Sequence, residues 1–375
     1  METSLAIALC LMLAGLAALE LRLSTAILEI LAGVLLAAFL PHTAEVKWLG
    51  FLANFGMLAL MFVAGFEVEI DKLRRTWRSC LVIGILSFAV PLAGIYVLCT
   101  LLLQLVPVTA ALVAIGLSTT SLALVYQALR HENILDTAEG QTILAAASVV
   151  DVLSMVALAL LLGDITWATA VVVLVVVLSL AGLPPIGSWL FRRYMGSTAE
   201  PEIRFLLVIL VALGFMAENV GGIHPAIVAF AVGVAMAGVV YESTAVREKM
   251  KGLVFGFFAP LFFLHAGTQI DAARLSPEFI ITAAVLFVAA VGLKFAGTAL
   301  PARLFMRDSS SRAVGMLFNY RLSFGIIAAN VGLESGVLTE DLYAAMLITV
   351  AGSAALPAMS GTATRRKKAA DPIRY

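Results

Sequence analysis

The sequence has too few charged residues for a water-soluble protein. Only 13% of its 375 residues are Asp, Glu, Lys or Arg, whereas soluble globular domains carry about 25%. Hydrophobic residues make up 62% of the chain, and the mean hydropathy is +1.05. Polar side chains are too scarce to cover a folded surface, so the excess apolar surface must contact lipid. This composition excludes a soluble enzyme, a nucleic-acid-binding protein and a disordered chain.

Residue patterns typical of disulfide frameworks, metal sites and catalytic sites are missing as well. The three cysteines, Cys10, Cys80 and Cys99, are scattered along apolar segments, and no CxxC motif or Cys/His cluster occurs. HExxH and GxSG motifs are absent. An aspartyl protease within the membrane needs two aspartates on facing helices, and only Asp151 is deep enough. We therefore expect that the protein is not an enzyme, and that it uses no cofactor and binds no nucleic acid.

Apolar segments of membrane-spanning length follow one another along the whole chain. A membrane helix needs roughly 20 apolar residues, and prolines such as Pro41, Pro107 and Pro277 lie in the short separators. We predict an all-α polytopic membrane protein, a single domain over residues 1–375, with about thirteen transmembrane helices. The predicted spans are 4–21, 24–41, 49–66, 79–103, 108–128, 140–163, 166–190, 204–221, 225–241, 252–268, 278–300, 312–333 and 339–360.

The distribution of Lys and Arg predicts the orientation in the membrane, because cytoplasmic loops carry an excess of both. We place the basic tail, residues 361–375, in the cytoplasm. With thirteen spans, 20 of the 24 Lys and Arg residues then lie in cytoplasmic segments, and the outer loops hold only Lys47 and Arg274. The sequence therefore predicts a multi-pass protein of the cell inner (plasma) membrane, in contact with the lipid bilayer. Its N-terminus is expected outside and its C-terminus in the cytoplasm.

The second half of the chain resembles the first at an offset of about 200 residues. Residues 26–37 match residues 226–237 at five of twelve positions, and AGFEVE at 64–69 aligns with AGTQID at 266–271. Under the predicted orientation, the two halves cross the membrane in opposite directions. Inverted repeats are typical of secondary transporters, whose substrate site lies near the midplane of the bilayer. The predicted parts are repeat 1 at about 24–163, a linker helix at about 166–190 and repeat 2 at about 224–360.

Asp151 lies near the centre of the predicted span 140–163. An ionisable side chain at this depth costs at least about 2.5–3.5 kcal/mol. Ser148 and Ser154, three residues before and after Asp151, give the same helix face a polar stripe. Short oxygen ligands on one face suit a proton or a monovalent cation, so we predict that Asp151 and Ser148 bind sodium, lithium or potassium. A structural Asp that is hydrogen-bonded to a neighbouring helix is the alternative.

Two basic residues, Lys294 and Arg321, also lie inside predicted spans. For Lys294 we expect either an ion pair with Asp151 or a side chain that extends along the span to the cytoplasmic surface. An ion pair that opens when a cation or a proton arrives provides a physical basis for exchange. Coupling through Lys294 and Arg321 is therefore part of the predicted site.

Two predicted spans contain clusters of polar residues that are typical of broken helices. Residues 116–124 include Thr119 and Thr120, and the interrupted stretch of the other span includes Arg321 and Ser323. Hydroxyl groups can satisfy backbone groups that are freed where a helix unwinds, although close helix packing through small residues would use the same residue types. The remaining deep acids, Glu29 and Glu218, are candidate accessory residues of the ion path, together with Ser323.

In combination these segments resemble the monovalent cation:proton antiporter-2 family, the bacterial sodium/proton and potassium/proton exchangers. The resemblance covers nearly the whole chain, and it includes LEILAGVLL at 28–36, LSTTSLALVYQAL at 117–129 and VGLKFAGTALPARL at 291–304. It implies a sodium/proton antiporter-like fold with inverted-topology repeats and two broken helices that cross near the ion site. It also implies a homodimer, in which a scaffold part carries the dimer contact and a core part moves against it.

By this resemblance Asp151 matches the ion-binding aspartate of the family, and Lys294 matches the membrane-embedded lysine of the later half. Thr119 and Thr120 match the first broken helix, and Arg321 matches the arginine of the second. The implied function is a secondary active transporter that exchanges protons for a monovalent cation, sodium or potassium, by alternating access. Asp151 would then be the single site that the proton and the cation share.

One departure from the family pattern keeps other functions open. Many relatives carry Asp or Asn immediately before the ion-binding aspartate, where this sequence has Val150. The loss of one carboxylate favours one-for-one exchange or a changed substrate. A passive cation channel or a sensor on the same fold is the alternative to an exchanger.

Overall fold

A computed structural model describes most of the chain. The described residues are 2–21, 24–40, 43, 46–67, 77–132, 134–135, 137–162, 167–194, 197, 199–216, 225–270 and 277–359. Over these ranges the regular structure is helical and contains no strand. Six of the described helices are long and apolar enough to cross a membrane, and four shorter apolar helices accompany them.

The helices follow the predicted spans closely. Each of the thirteen predicted spans coincides with one helix or with consecutive helices, which confirms the all-α polytopic architecture. In chain order they are α1 (Glu2–Leu21), α2 (Thr25–Phe39), α3 (Lys47–Phe66), α4 (Trp77–Leu101), α5 (Pro107–Ser118), α6 (Leu122–His131), α7 (Ala138–Leu162), α8 (Trp167–Tyr194), α9 (Pro201–Met216), α10 (Pro225–Glu242), α11 (Thr244–Leu253), α12 (Ala259–Thr268), α13 (Pro277–Ala302), α14 (Asp308–Leu317), α15 (Leu322–Glu334) and α16 (Glu340–Met359).

Local sequence explains where several helices begin. Helices α5, α9, α10 and α13 each start at a proline, because a proline lacks the N–H that would have no intrahelical acceptor in the first turn. Helix α11 starts after Ser243, whose side chain accepts a hydrogen bond from the backbone N–H of Val246. A π-helical turn, Val254–Phe258, joins α11 to α12. The span predicted at 252–268 therefore begins earlier, at Thr244.

The chain forms two compact units, each built from separate segments of sequence. Unit 1 comprises Met1–Ala18, Thr25–Glu69 and Met155–Arg274. Unit 2 comprises Leu19–Ser24, Ile70–Ser154 and Leu275–Tyr375. Both units draw helices from the two halves of the sequence. Unit 2 contains all the predicted ion-binding residues, Thr119, Thr120, Ser148 and Asp151, and the predicted coupling residues, Lys294 and Arg321.

Within unit 1, two pairs of glycines allow helices to cross at very short range. A Cβ atom on Gly33 of α2 would lie 3.0 Å from Cα of Gly267 in α12. A Cβ atom on Gly65 of α3 would lie 2.9 Å from Cα of Gly233 in α10. The sequence repeat aligns Gly33 with Gly233 and Gly65 with Gly267. Under the repeat, the crossing of α2 with α12 therefore corresponds to the crossing of α3 with α10, as expected if the two halves of the sequence fold alike.

The same relation holds within unit 2, where α4 packs against α13. A Cβ atom on Gly94 would lie 2.6 Å from a methyl carbon of Leu293, and one on Gly297 would lie 2.9 Å from Cβ of Val90. Gly94 and Gly297 are 203 residues apart, and so are Val90 and Leu293, so the two contacts correspond to each other at this offset. These contacts agree with the internal repeat, while the repeat boundaries and the linker helix remain predictions. The basic tail at 361–375 lies outside the described residues.

Candidate ion-binding site

Two helices of unit 2 are interrupted at the polar clusters that the sequence singled out. Helix α5 ends at Ser118 and α6 begins at Leu122, while α14 ends at Leu317 and α15 begins at Leu322. Thr119 adopts an extended backbone conformation, with φ −69° and ψ 168°. Both interruptions lie where broken helices were predicted.

Hydroxyl groups bond the carbonyls at the end of α5. The Ser118 hydroxyl donates to the carbonyl oxygen of Ala114 at 2.6 Å, and the Thr119 hydroxyl donates to that of Gly116 at 3.0 Å. The carbonyl of Gly116 is one of the last four of α5, which have no partner within the helix, so the Thr119 hydroxyl supplies a donor that the backbone lacks. The Thr119 side chain therefore supports the interruption directly.

The two interruptions contact each other. The backbone N–H of Ser121 donates to the carbonyl oxygen of Tyr320 at 2.5 Å. The hydroxyl of Thr120 lies 3.4 Å from the carbonyl oxygen of Phe318, at the long end of hydrogen bonding. Thr119 and Thr120 are fully buried. The two broken helices thus cross at their non-helical residues, as the family resemblance implied.

The polar stripe of α7 is buried in the protein. Ser148 and Asp151 are 2% and 5% exposed, and Ser154 is fully buried. The Ser148 hydroxyl donates to the carbonyl oxygen of Leu144, and the Ser154 hydroxyl donates to that of Val150. Each hydroxyl donates its single proton to a carbonyl of the preceding turn, so its oxygen lone pairs stay available to bind a cation. Asp151 is therefore flanked by two oxygen ligands on one buried face.

Lys294 does not extend to the membrane surface, because the residue is 0% exposed. Its ammonium group donates to the carbonyl oxygen of Ser118 at 2.6 Å and to that of Ser87 at 3.1 Å. Ser118 is the last residue of α5, and a cation is stabilising at this negative end of a helix dipole. Asp151 also attracts the ammonium electrostatically. The predicted ion pair with Asp151 remains a prediction.

Two residues around Lys294 were missed at the sequence level. The Thr298 hydroxyl donates to the Ser87 hydroxyl at 2.8 Å, so it links α13 to α4 one turn after Lys294. Ser87 and Thr298 are both fully buried. The available signal was weak: Ser87 is an isolated hydroxyl in an apolar span, and Thr298 follows Lys294 by four residues.

Arg321 lies in the second interruption and is fully buried. Its Nη2 atom donates to the carbonyl oxygen of Ala290 at 2.6 Å and to the side-chain oxygen of Asn319 at 2.8 Å. Its Nε and Nη1 atoms are buried without a hydrogen-bond partner in the described part of the chain. The guanidinium group thus links the second interruption to α13 through the carbonyl of Ala290, and both of its acceptors are neutral.

Of the three accessory candidates, only Glu29 has a side chain among the described residues. Glu29 is 4% exposed and belongs to α2 of unit 1. Glu218 lies outside the described residues, as does the side chain of Ser323, whose backbone is in the first turn of α15. Within the described part of unit 2, Lys294 contacts the end of α5, the two interruptions contact each other, and Asp151 and Ser148 lie on a buried face of α7. This arrangement offers a carboxylate, hydroxyl oxygens and a competing ammonium group in a water-poor interior.

Sequence comparison identifies relatives along nearly the whole chain. Residues 5–363 match the family model described as "Sodium/hydrogen exchanger, transmembrane". "Cation/H(+) antiporter 18" of Arabidopsis thaliana is 30% identical over 364 residues; the match covers 88% of this chain and 44% of that protein. The Bacillus cereus "Probable Na(+)/H(+) antiporter GerT" is 28% identical, with 91% of this chain and 93% of that protein covered.

A solved structure has the same fold as this chain. The sodium proton antiporter MjNhaP1 of Methanocaldococcus jannaschii is 15% identical in sequence and superposes with a TM-score of 0.72. The superposition covers 98% of this chain and 99% of that chain. The match over residues 5–363 places the chain, a multi-pass membrane protein, in the sodium/hydrogen exchanger family.

Proposed function

We propose that this protein exchanges protons for a monovalent cation, sodium or potassium, as a secondary active transporter. The supporting observation is the buried carboxylate of Asp151, which is flanked by serine oxygens in unit 2 of a sodium/hydrogen exchanger fold. A single carboxylate binds either a proton or a cation. Because each excludes the other, the two fluxes are coupled when Asp151 faces the two sides of the membrane in turn.

Lys294 gives this site a second competitor. Its ammonium group already bonds two backbone carbonyls and is attracted by Asp151. A cation that binds Asp151 neutralises the negative charge that otherwise stabilises the ammonium group. The lysine therefore offsets the charge of Asp151 in the empty site and makes cation binding reversible.

The wider setting belongs to the same proposal. The protein acts as a homodimer in the cell inner membrane, with its N-terminus outside and its C-terminus in the cytoplasm. It works as a carrier and not as an enzyme. The distribution of 24 Lys and Arg residues supports the orientation.

Proton flux across sealed liposomes tests exchange. Purified protein is reconstituted with an imposed pH gradient and a pH-sensitive dye, and sodium, lithium, potassium or choline is added in turn. We expect at least one alkali cation to dissipate the gradient, while choline has no effect. An outward proton gradient should also drive that cation inward against its own gradient. A channel or a sensor would fail this second step, because neither couples one flux to the other.

Replacing Lys294 by Met should increase the apparent affinity for the transported cation by about tenfold, which corresponds to removing about 1.4 kcal/mol of competition. Met keeps the length of the side chain and removes its charge. The measurement is the cation concentration at half-maximal exchange, taken over a range of pH. Lys249→Met is the matched control, since Lys249 pairs with Glu200 at the surface. Unchanged affinity and an unchanged pH profile in Lys294→Met would show that Lys294 has only a structural role.

A further inference from the structure

The buried charges of unit 2 do not balance. Its charged side chains that are described as buried are Asp151, Lys294 and Arg321, one acid and two bases. Asp151 can offset only one of the two positive charges. When a proton or a cation neutralises Asp151, two positive charges remain in a low-dielectric interior. Unpaired buried charges are strongly destabilising.

Arg321 is the less satisfied of the two bases. Lys294 bonds two carbonyls, one of them at the negative end of a helix dipole. Arg321 uses only Nη2, and its Nε and Nη1 atoms are buried without a partner in the described part of the chain. Every acceptor that it does contact, on Ala290 and Asn319, is electrically neutral.

The backbone near Arg321 adds to the positive potential. Arg321 immediately precedes α15, a helix of 13 residues, and its own side chain does not cap that helix. The first N–H groups of a helix carry partial positive charge and favour anions. A buried guanidinium group with unused donors has the chemistry of an anion site.

We propose that a small monovalent inorganic anion, such as chloride, binds beside the Arg321 guanidinium group in unit 2. Chloride accepts hydrogen bonds from N–H donors and supplies the missing negative charge. The anion binds more tightly when Asp151 carries no charge, because the competing carboxylate is then neutral. Neither the anion site nor this charge competition rests on the proposed exchange function, whereas the coupling to cation binding does. By reciprocity, the anion strengthens binding of a cation at Asp151.

Thermal unfolding of the purified protein tests the site without any transport measurement. Unfolding temperatures are compared in choline chloride, choline nitrate and choline gluconate at equal ionic strength. Gluconate serves as the anion that is too large for a buried site. A ligand that binds only the folded protein raises its unfolding temperature. We expect higher unfolding temperatures in chloride than in gluconate, and we expect Arg321→Gln to abolish this difference.

Two further variants make the outcome decisive. Arg312→Gln should keep the chloride effect, since Arg312 is 62% exposed and pairs with Asp308. Asp151→Asn should enlarge the effect, because it removes the competing charge while Arg321 stays in place. If Arg321→Gln does not fold, the comparison of Asp151→Asn with the wild type decides. The proposal is overturned if chloride acts equally on the wild type and Arg321→Gln, or if Asp151→Asn shows no larger effect; water would then satisfy the guanidinium group.

Exchange assays test the coupling between the two sites. In liposomes with chloride on both sides, the apparent sodium affinity should be about fivefold higher than with gluconate, a typical size for coupling between sites. Equal apparent sodium affinities in chloride and in gluconate would show that the two sites are not coupled. If no cation moves protons in either anion, the exchange function itself has failed, and the unfolding measurements still decide on the anion site.

Discussion

Replacing Asp151 by Asn is expected to reduce cation-dependent proton movement by about a hundredfold or more. Removing one partner of a buried charge interaction costs about 3–5 kcal/mol, and each 1.4 kcal/mol corresponds to a tenfold change in affinity. Asn keeps the shape of the side chain but neither carries a charge nor takes up a proton. The measurement is the decay of an imposed pH gradient in proteoliposomes after sodium, lithium or potassium is added.

The matched control for this variant is Asp308→Asn, since Asp308 is an exposed acid of unit 2 that pairs with Arg303 at 2.9 Å. It should leave exchange unchanged. An unfolding temperature close to that of the wild type would show that Asp151→Asn is folded. Full exchange activity in Asp151→Asn would mean that the shared carboxylate lies elsewhere. Glu29, which is buried in α2, would then be the next residue to replace.

The residue before Asp151, Val150, bears on the stoichiometry of the proposed exchange. The residue before Asp151 is a buried apolar side chain with no exposed surface, so it provides no second carboxylate. If Asp151 is the shared site, the absence of a second carboxylate at position 150 favours one-for-one exchange.

The helices could be predicted from the sequence because hydropathy alone defines them. A span predicted at 79–103, for example, corresponds to Trp77–Leu101. The exception is α11, which precedes the predicted span 252–268. Its buried side chains, Val246 and Met250, are four residues apart among charged residues. An amphipathic helix of this kind carries too little hydrophobicity to be recognised as part of a span.

The helix interruptions and the burial of the candidate residues could be predicted, but the partners of Lys294 could not. Residue types alone pointed to Asp151 as its partner, because an acid is the visible counterpart of a base. Both acceptors in the structure are backbone carbonyls, of Ser87 and Ser118, which lie 207 and 176 residues away in sequence. Every residue has a carbonyl, so no residue pattern reveals which one a fold makes available. The helix interruption at Thr119 is what frees the carbonyl of Ser118.

Gly65→Ala should destabilise the protein by about 2–3 kcal/mol, the cost of overpacking a close contact. A Cβ atom at this position would overlap the carbonyl oxygen of Phe230 and lie 2.9 Å from Cα of Gly233. Neither atom belongs to a flexible side chain, so the helices α3 and α10 must separate. The measurement is the thermal unfolding temperature of the purified variant.

A second glycine of α10 provides the opposite expectation. A Cβ atom on Gly238 would meet no atom of a neighbouring helix within 4 Å, so Gly238→Ala should stabilise the helix by up to about 1 kcal/mol. If the repeat governs the architecture of unit 1, Gly267→Ala should cost as much as Gly65→Ala, because the two positions correspond. If Gly65→Ala destabilised the protein and Gly267→Ala did not, the sequence repeat would not govern the helix packing of unit 1. Equal costs would show that both crossings contribute equally to the stability of unit 1.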